Sequence, residues 1–184
     1  MNDNWQAASP ILVNHGYCVF AFNYGGSSAN ADFQGTGEIA ASPGRLASFV
    51  TQVLAATGAS KVDIVGHSKG GMMLRYYLKF LGGVAYVSTL VGLAPSNHGY
   101  TVIESRNDEV VTPYTSAFLS GPGVTDITVQ NQCPLDQSDH LELAYDPVAM
   151  ADMLNALDPS DPVSVPCVPV VLPVTGPAGP VPPF

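Results

Sequence analysis

The stretch Val62-Asp63-Ile64-Val65-Gly66-His67-Ser68-Lys69-Gly70-Gly71 leaves this chain fewer ways to fold than any other part of it. Val62, Ile64 and Val65 favour a strand, and Ala59-Ser60-Lys61 form a turn-like approach to it. After Gly70 come Met72, Met73, Leu74, Tyr76, Tyr77, Leu78, Phe80 and Leu81, apolar almost all round as in a buried helix, which Gly82-Gly83 stops. Between the two lies Gly66-His67-Ser68-Lys69-Gly70, which fits G-x-S-x-G. A serine on so sharp a strand-to-helix turn takes a strained backbone. Glycines flank it because side chains there would meet the neighbouring strand and helix. The turn lifts the hydroxyl above the sheet edge and aims the N–H groups of the helix N-terminus at the place where an oxyanion would form. The bare pattern is weak; its placement between a buried strand and a buried helix gives it weight.

The rest of the chain supplies a core for such a turn. Of 184 residues, 46% are hydrophobic and 11% charged, which suits one domain around a sheet buried on both sides. The net charge is −9 and the six basic residues are scattered singly, which excludes a nucleic-acid surface. Cys18, Cys133 and Cys167 form no C-x-x-C or Cys/His ligand spacing, so no metal or cofactor is called for. No run of 18 apolar residues occurs, so no transmembrane segment is expected. Met1 to Gln6 is polar and lacks the regions of a signal peptide, so the chain is expected to be intracellular or supplied without its beginning.

Strands and helices alternate. Asn2 to Asn14 reads as a short amphipathic piece around Trp5, Ile11 and Leu12, interrupted by Pro10. Tyr17 to Phe22 is a near-continuous apolar run, expected as a strand buried on both faces with Cys18 in the core. A loop from Tyr24 to Gly37 follows. Ser42-Pro43 opens a helix with a Leu46, Phe49, Val50, Val53, Leu54 stripe, closed by Gly58. Beyond the glycine-flanked serine, strands are expected over Ala85 to Ala94, Tyr100 to Ser105 and Asp126 to Gln130. Asp146-Pro147 then caps a last helix with Met150, Met153, Leu154 and Leu157 on one face. The pattern predicts an α/β fold with a mostly parallel sheet over residues 1–157. Nine of the last 27 residues are proline and no charge follows Asp161, so residues 158–184 are expected as an extended tail.

A serine needs a base to take its proton and an acid to orient that base. In α/β-hydrolases these follow in the order Ser, Asp or Glu, His. His15 and His98 precede any suitable acid and His67 is locked into the turn, which leaves His140, in a loop after the last strand. The acid must follow a strand to reach across the sheet edge. Asp108 does so, with Glu109 as runner-up, whereas Asp136 and Asp139 sit in the histidine's own loop and are expected to shape turns.

Asn4-Trp5, Gly16-Tyr17-Cys18-Val19-Phe20-Ala21, Asn23-Tyr24-Gly25-Gly26, Val62 to Gly71, Tyr76-Tyr77-Leu78-Lys79-Phe80-Leu81-Gly82-Gly83, Asp108-Glu109-Val110-Val111-Thr112-Pro113 and Asp139-His140-Leu141 together resemble the bacterial class 2 lipases. The resemblance covers nearly the whole chain. It implies a secreted triacylglycerol lipase or esterase of the α/β-hydrolase fold, acting on ester or lipid substrates. It also implies Ser68 as nucleophile, Asp108 as acid, His140 as base and the Lys69 backbone N–H as first oxyanion donor. If the chain is secreted, Cys133 and Cys167 are expected to pair.

Two departures bear on activity. Relatives begin earlier, with an apolar strand ending in His-Gly whose loop gives a second oxyanion donor; His15-Gly16 precedes a strand instead of ending one and cannot substitute. After Gly99, relatives insert a long segment that covers the site, whereas here Pro95 to Gly99 join two strands expected to be parallel. That is short for a parallel crossover. The connection is therefore stretched, or the second strand is repositioned. The competing reading, from a different class, is a non-catalytic lipase remnant that binds lipid or a partner.

Overall fold

The computed structural model describes residues 2–26, 42–95 and 101–168. A parallel sheet of four strands forms its centre, in the spatial order β1 (Val62–His67), β2 (Val87–Leu93), β3 (Thr101–Glu104) and β4 (Thr125–Thr128). The β2–β3 register pairs Val91 with Thr101 and Leu93 with Ile103. The short link after Pro95 thus joins neighbouring parallel strands, and β3 is not repositioned; residues 96–100, His98 among them, lie outside the described residues.

Helices cover both faces, because side chains alternate along buried strands. On one face α1 (Ala8–Asn14) and α5 (Pro147–Leu157) bury Ile11, Met150 and Met153 against Val91, Leu93 and Ile103. On the other, α2 (Pro43–Thr57) and α3 (Lys69–Phe80) bury Leu46, Val50, Leu74 and Tyr77 against Leu90. The helix α2 begins at Pro43 and ends at Gly58, whose φ of 73° is the left-handed conformation a glycine terminator supplies. Asp146 caps α5 by accepting from the Val148 N–H at 2.9 Å and the Ala149 N–H at 3.2 Å.

Four local expectations are corrected. Pro10 does not interrupt α1; it sits in the first turn, where the N–H it lacks would have no helical partner. Val129 and Gln130 belong to a one-turn helix, α4 (Val129–Gln132), rather than to β4. The helix α3 is buried on one side only, since Tyr76 and Phe80 are exposed. Residues 17–22 form no strand: Cys18 and Ala21 are exposed and Phe20 is 49% exposed. That segment instead lines one wall of an apolar cavity of about 420 Å³ whose opposite wall is β1, the edge strand of the sheet among the described residues. The loop expected from Tyr24 to Gly37 lies largely outside the described residues.

From residue 158 through residue 168 the chain runs without helix or strand. It is tied down twice. Asn155 exchanges hydrogen bonds with the Val163 backbone at 2.7 and 3.1 Å, and Cys167 is disulfide-bonded to Cys133.

Candidate active site

The site is built at the C-terminal ends of β1, β3 and β4. Ser68 follows β1 with φ 52° and ψ −126°, a conformation that costs a non-glycine residue about 1–3 kcal/mol. Its N–H donates to the Leu93 carbonyl of β2 at 3.0 Å, and its carbonyl accepts from the Gly71 N–H at 2.9 Å, so strand and helix both clamp it. A Cβ on Gly66 would lie 3.0 Å from backbone atoms of Gly70 and Gly71 and 2.7 Å from Leu74 Cδ1. On Gly70 it would meet only the Tyr24 hydroxyl, at 3.4 Å. The requirement for glycine is therefore strict on the strand side and milder on the helix side.

Asp108 lies after β3 in a turn closed by its own N–H, which donates to the Ser105 carbonyl at 3.2 Å. Its Oδ1 accepts from the N–H groups of Val110 and Val111 at 2.8 and 2.7 Å, which fixes the plane of the carboxylate. Its Oδ2 then faces His140 Nδ1 at 2.8 Å. The His140 Nε2 lies 2.8 Å from Ser68 Oγ. With the imidazole proton on Nδ1 and donated to Asp108, Nε2 is free to accept from the serine hydroxyl. Serine, histidine and aspartate thus form one continuous line, with His140 and Asp108 buried.

Other groups hold this line in place. His67 Nε2 donates to the His140 carbonyl at 2.8 Å, and burial drives the His67 ring down to about 4, so it is neutral near pH 7. Glu109, the runner-up acid, does not reach the imidazole; its Oε2 accepts from the His140 backbone N–H at 3.4 Å. Ser105 Oγ donates to the Ser138 carbonyl and accepts from Gln130 Nε2 at 2.7 Å, joining the acid's turn to the histidine's loop. Within that loop Asp139 Oδ1 accepts from Leu141 and Glu142 N–H groups at 2.9 and 2.8 Å, and Asp136 Oδ1 accepts from the Ser138 N–H at 2.8 Å. Asp136 and Asp146 form a buried carboxyl pair beneath. Burial, then the charge of Asp136, pushes Asp146 up to about 7.

Sequence reasoning did not single out His67, Ser105 or Gln130 as supports. The available signal was a polar residue directly after a buried apolar strand, at Ser105. Lys69 opens α3, so its backbone N–H lies at the helix N-terminus beside Ser68. The 420 Å³ cavity touches Gly66, His67 and Gly70 from below but is not lined by Ser68, Asp108 or His140, so it is distinct from the site. Among the described residues no cluster of His, Cys, Asp and Glu could hold a metal ion, and no helix is long and apolar enough to cross a membrane.

The class 2 lipase family matches residues 1–142. A triacylglycerol lipase of Pseudarthrobacter phenanthrenivorans is 40% identical over 74 residues, which are 40% of this chain and 21% of that protein. A triacylglycerol lipase of Burkholderia plantarii is 40% identical over 74 residues, which are 40% of this chain and 19% of that one. The chain thus matches about a fifth of the length of these curated relatives. The crystal structure of Aspergillus fumigatus lipase B overlays with a TM-score of 0.58 at 20% identity, over 65% of this chain and 42% of that one, a likeness of fold. The parallel sheet flanked by helices, with the serine turn between β1 and α3, is the α/β-hydrolase fold. With its family's signature running from residue 1 to residue 142, the chain belongs to the class 2 lipases.

Proposed function

We propose that the chain is a serine carboxylester hydrolase of lipase type, acting on acylglycerols or related carboxylic esters. One observation carries this reading: the unbroken line Ser68 Oγ, His140 Nε2, His140 Nδ1, Asp108 Oδ2, with 2.8 Å at each contact. Ser68 attacks the ester carbonyl while His140 takes its proton, and Asp108 holds the ring and stabilises the imidazolium that forms. The backbone N–H of Lys69 receives the oxyanion at the N-terminus of α3. His140 returns the proton to the leaving alcohol, and water, activated by the same ring, releases the acid. The Cys133–Cys167 disulfide supports work outside a reducing compartment.

Turnover of p-nitrophenyl butyrate by this chain and by Ser68→Ala tests the reading. The substitution should lower kcat by at least about a thousandfold. No turnover above buffer by the unaltered, folded chain would instead support a non-catalytic remnant that binds lipid or a partner.

A further inference from the structure

Ser105 stands three residues before Asp108 and Ser138 two residues before His140, and both are fully buried. A bond between them ties the segment that carries the acid to the segment that carries the base. Ser105 Oγ makes that bond, donating to the Ser138 carbonyl. A hydroxyl has one proton and two lone pairs, and it turns freely unless the lone pairs are taken. Here they are. Gln130 Nε2 donates to Ser105 Oγ at 2.7 Å, and the Asn107 N–H donates to it at 3.1 Å.

The direction of these bonds is set from outside the serine. The Arg106 backbone N–H can only donate, and it lies 2.9 Å from Gln130 Oε1. That contact turns the amide oxygen of Gln130 toward Arg106 and its NH2 group toward Ser105. With two donors on its lone pairs, Ser105 keeps its single proton for the Ser138 carbonyl. Ser138 is held in turn, since its N–H donates to Asp136 Oδ1 at 2.8 Å and its hydroxyl donates to the same oxygen. Asp136 is anchored by its own N–H, which donates to the Cys133 carbonyl at 3.0 Å. On the acid side, the Ser105 carbonyl accepts from the Asp108 N–H at 3.2 Å. One serine therefore holds the acid's backbone through its carbonyl and the histidine's loop through its hydroxyl. The contact of Glu109 with the His140 N–H also crosses between these segments, but at 3.4 Å it is the weaker tie.

We propose that Ser105 and Gln130 are positioning residues. The Gln130 amide aims the Ser105 hydroxyl at the Ser138 carbonyl, and that bond sets the histidine's loop against the acid's turn so that His140 Nδ1 meets Asp108 Oδ2. The proposal rests on Ser68, His140 and Asp108 acting as the hydrolytic line. Neither residue touches the reacting atoms or moves a proton in the cycle. Loss of the hydroxyl leaves the buried Ser138 carbonyl without its donor, and the loop shifts to find another. The imidazole moves with the loop, away from Asp108.

The test compares Ser105→Thr with Ser105→Val, which have the same shape and differ in the hydroxyl, so that any crowding by the added methyl group cancels. It measures kcat and KM for p-nitrophenyl butyrate, with urea unfolding to show that each variant is folded. It also follows the low-field proton resonance of the His140 Nδ1–H, assigned by its absence from His140→Gln. Ser105→Thr should stay within a few-fold of the unaltered chain. Ser105→Val should lose about ten- to a hundredfold in kcat with KM little changed, as misplacement of a reacting group does. The resonance should persist in Ser105→Thr and broaden or vanish in Ser105→Val. Gln130→Met should lower kcat several-fold in the unaltered chain and add little to Ser105→Val, because it acts through the hydroxyl. Equal kcat in folded Ser105→Thr and Ser105→Val overturns the proposal and leaves the hydrolase reading intact. So does a Gln130→Met loss that is the same in both backgrounds. If either Ser105 variant does not fold, Gln130→Met decides alone, and an unchanged kcat and resonance overturn the proposal. Absence of turnover by the unaltered chain removes the hydrolase reading; the resonance in the Thr and Val variants then decides whether the bond sets His140 against Asp108.

Discussion

At Ser68 the backbone strain and the chemistry coincide, and the strain is affordable only because Gly66 lets α3 approach β1. Gly66→Ala would put a Cβ 3.0 Å from the backbone of Gly70 and Gly71, where neither strand nor helix can yield cheaply. It should cost about 1–3 kcal/mol of stability, read by urea unfolding, and lower turnover as Ser68 shifts. Gly70→Ala meets only a hydroxyl at 3.4 Å and should be clearly milder. His67→Phe keeps the ring volume and removes the donor to the His140 carbonyl. It should lower kcat several-fold with little change in KM, since a 2.8 Å bond that anchors the histidine loop is lost. That Ser68, Asp108 and His140 meet could be read from the sequence because each obeys a rule of order along the chain and of position after a strand. His67 and Ser105 could not, because their partners are brought together only by the fold. A glutamate ending an apolar strand carries no sequence sign of whether it meets solvent or lies fully buried, as Glu104 does.

At the scale of elements, what was legible were the units whose signals are local. The helices α2 and α5 carry their own caps and stripes, and the strands β1 to β3 announce themselves as apolar runs. Residues 17–22 show the limit of that reading, for a run becomes a strand only when neighbours pair with it, and pairing is not a local property. The same segment, with Phe20 49% exposed beside the edge of β1 that has no strand partner among the described residues, is expected to favour association. Phe20→Lys should reduce concentration-dependent light scattering without loss of folded protein. The disulfide between Cys133 and Cys167 closes a separation of 34 residues, and on the chain-entropy account its reduction should cost about 3–4 kcal/mol, seen as a lower urea midpoint. The helix α5 adds a pH dependence. Asp146 is raised from 3.8 to about 7 in the fold, so the folded state holds a proton that the unfolded chain has already lost. Its contribution to stability is present below about pH 4 and disappears as pH rises through 7. Asp146→Asn, which still caps the helix, should flatten that loss in urea unfolding at pH 4 to 7.

Across the whole molecule, the sheet order and the two helical layers set the line of Ser68, His140 and Asp108 on the C-terminal edge, where α/β folds place their chemistry. The link from β2 to β3 spans residues 94–100, a length too short for a covering helix of several turns. The chain should prefer short esters: kcat/KM for p-nitrophenyl butyrate should exceed that for the palmitate, and the rate should rise smoothly across the solubility limit of tributyrin. A sharp jump at that limit would reveal a cover formed by another part of the chain. The most direct test of the central claim is the site at which a fluorophosphonate probe reacts, mapped by peptide mass spectrometry. The account predicts an adduct on Ser68 alone, formed far more slowly in His140→Ala and Asp108→Ala and absent in Ser68→Ala; an adduct on another residue, or equal labelling of Ser68 without His140, would contradict it.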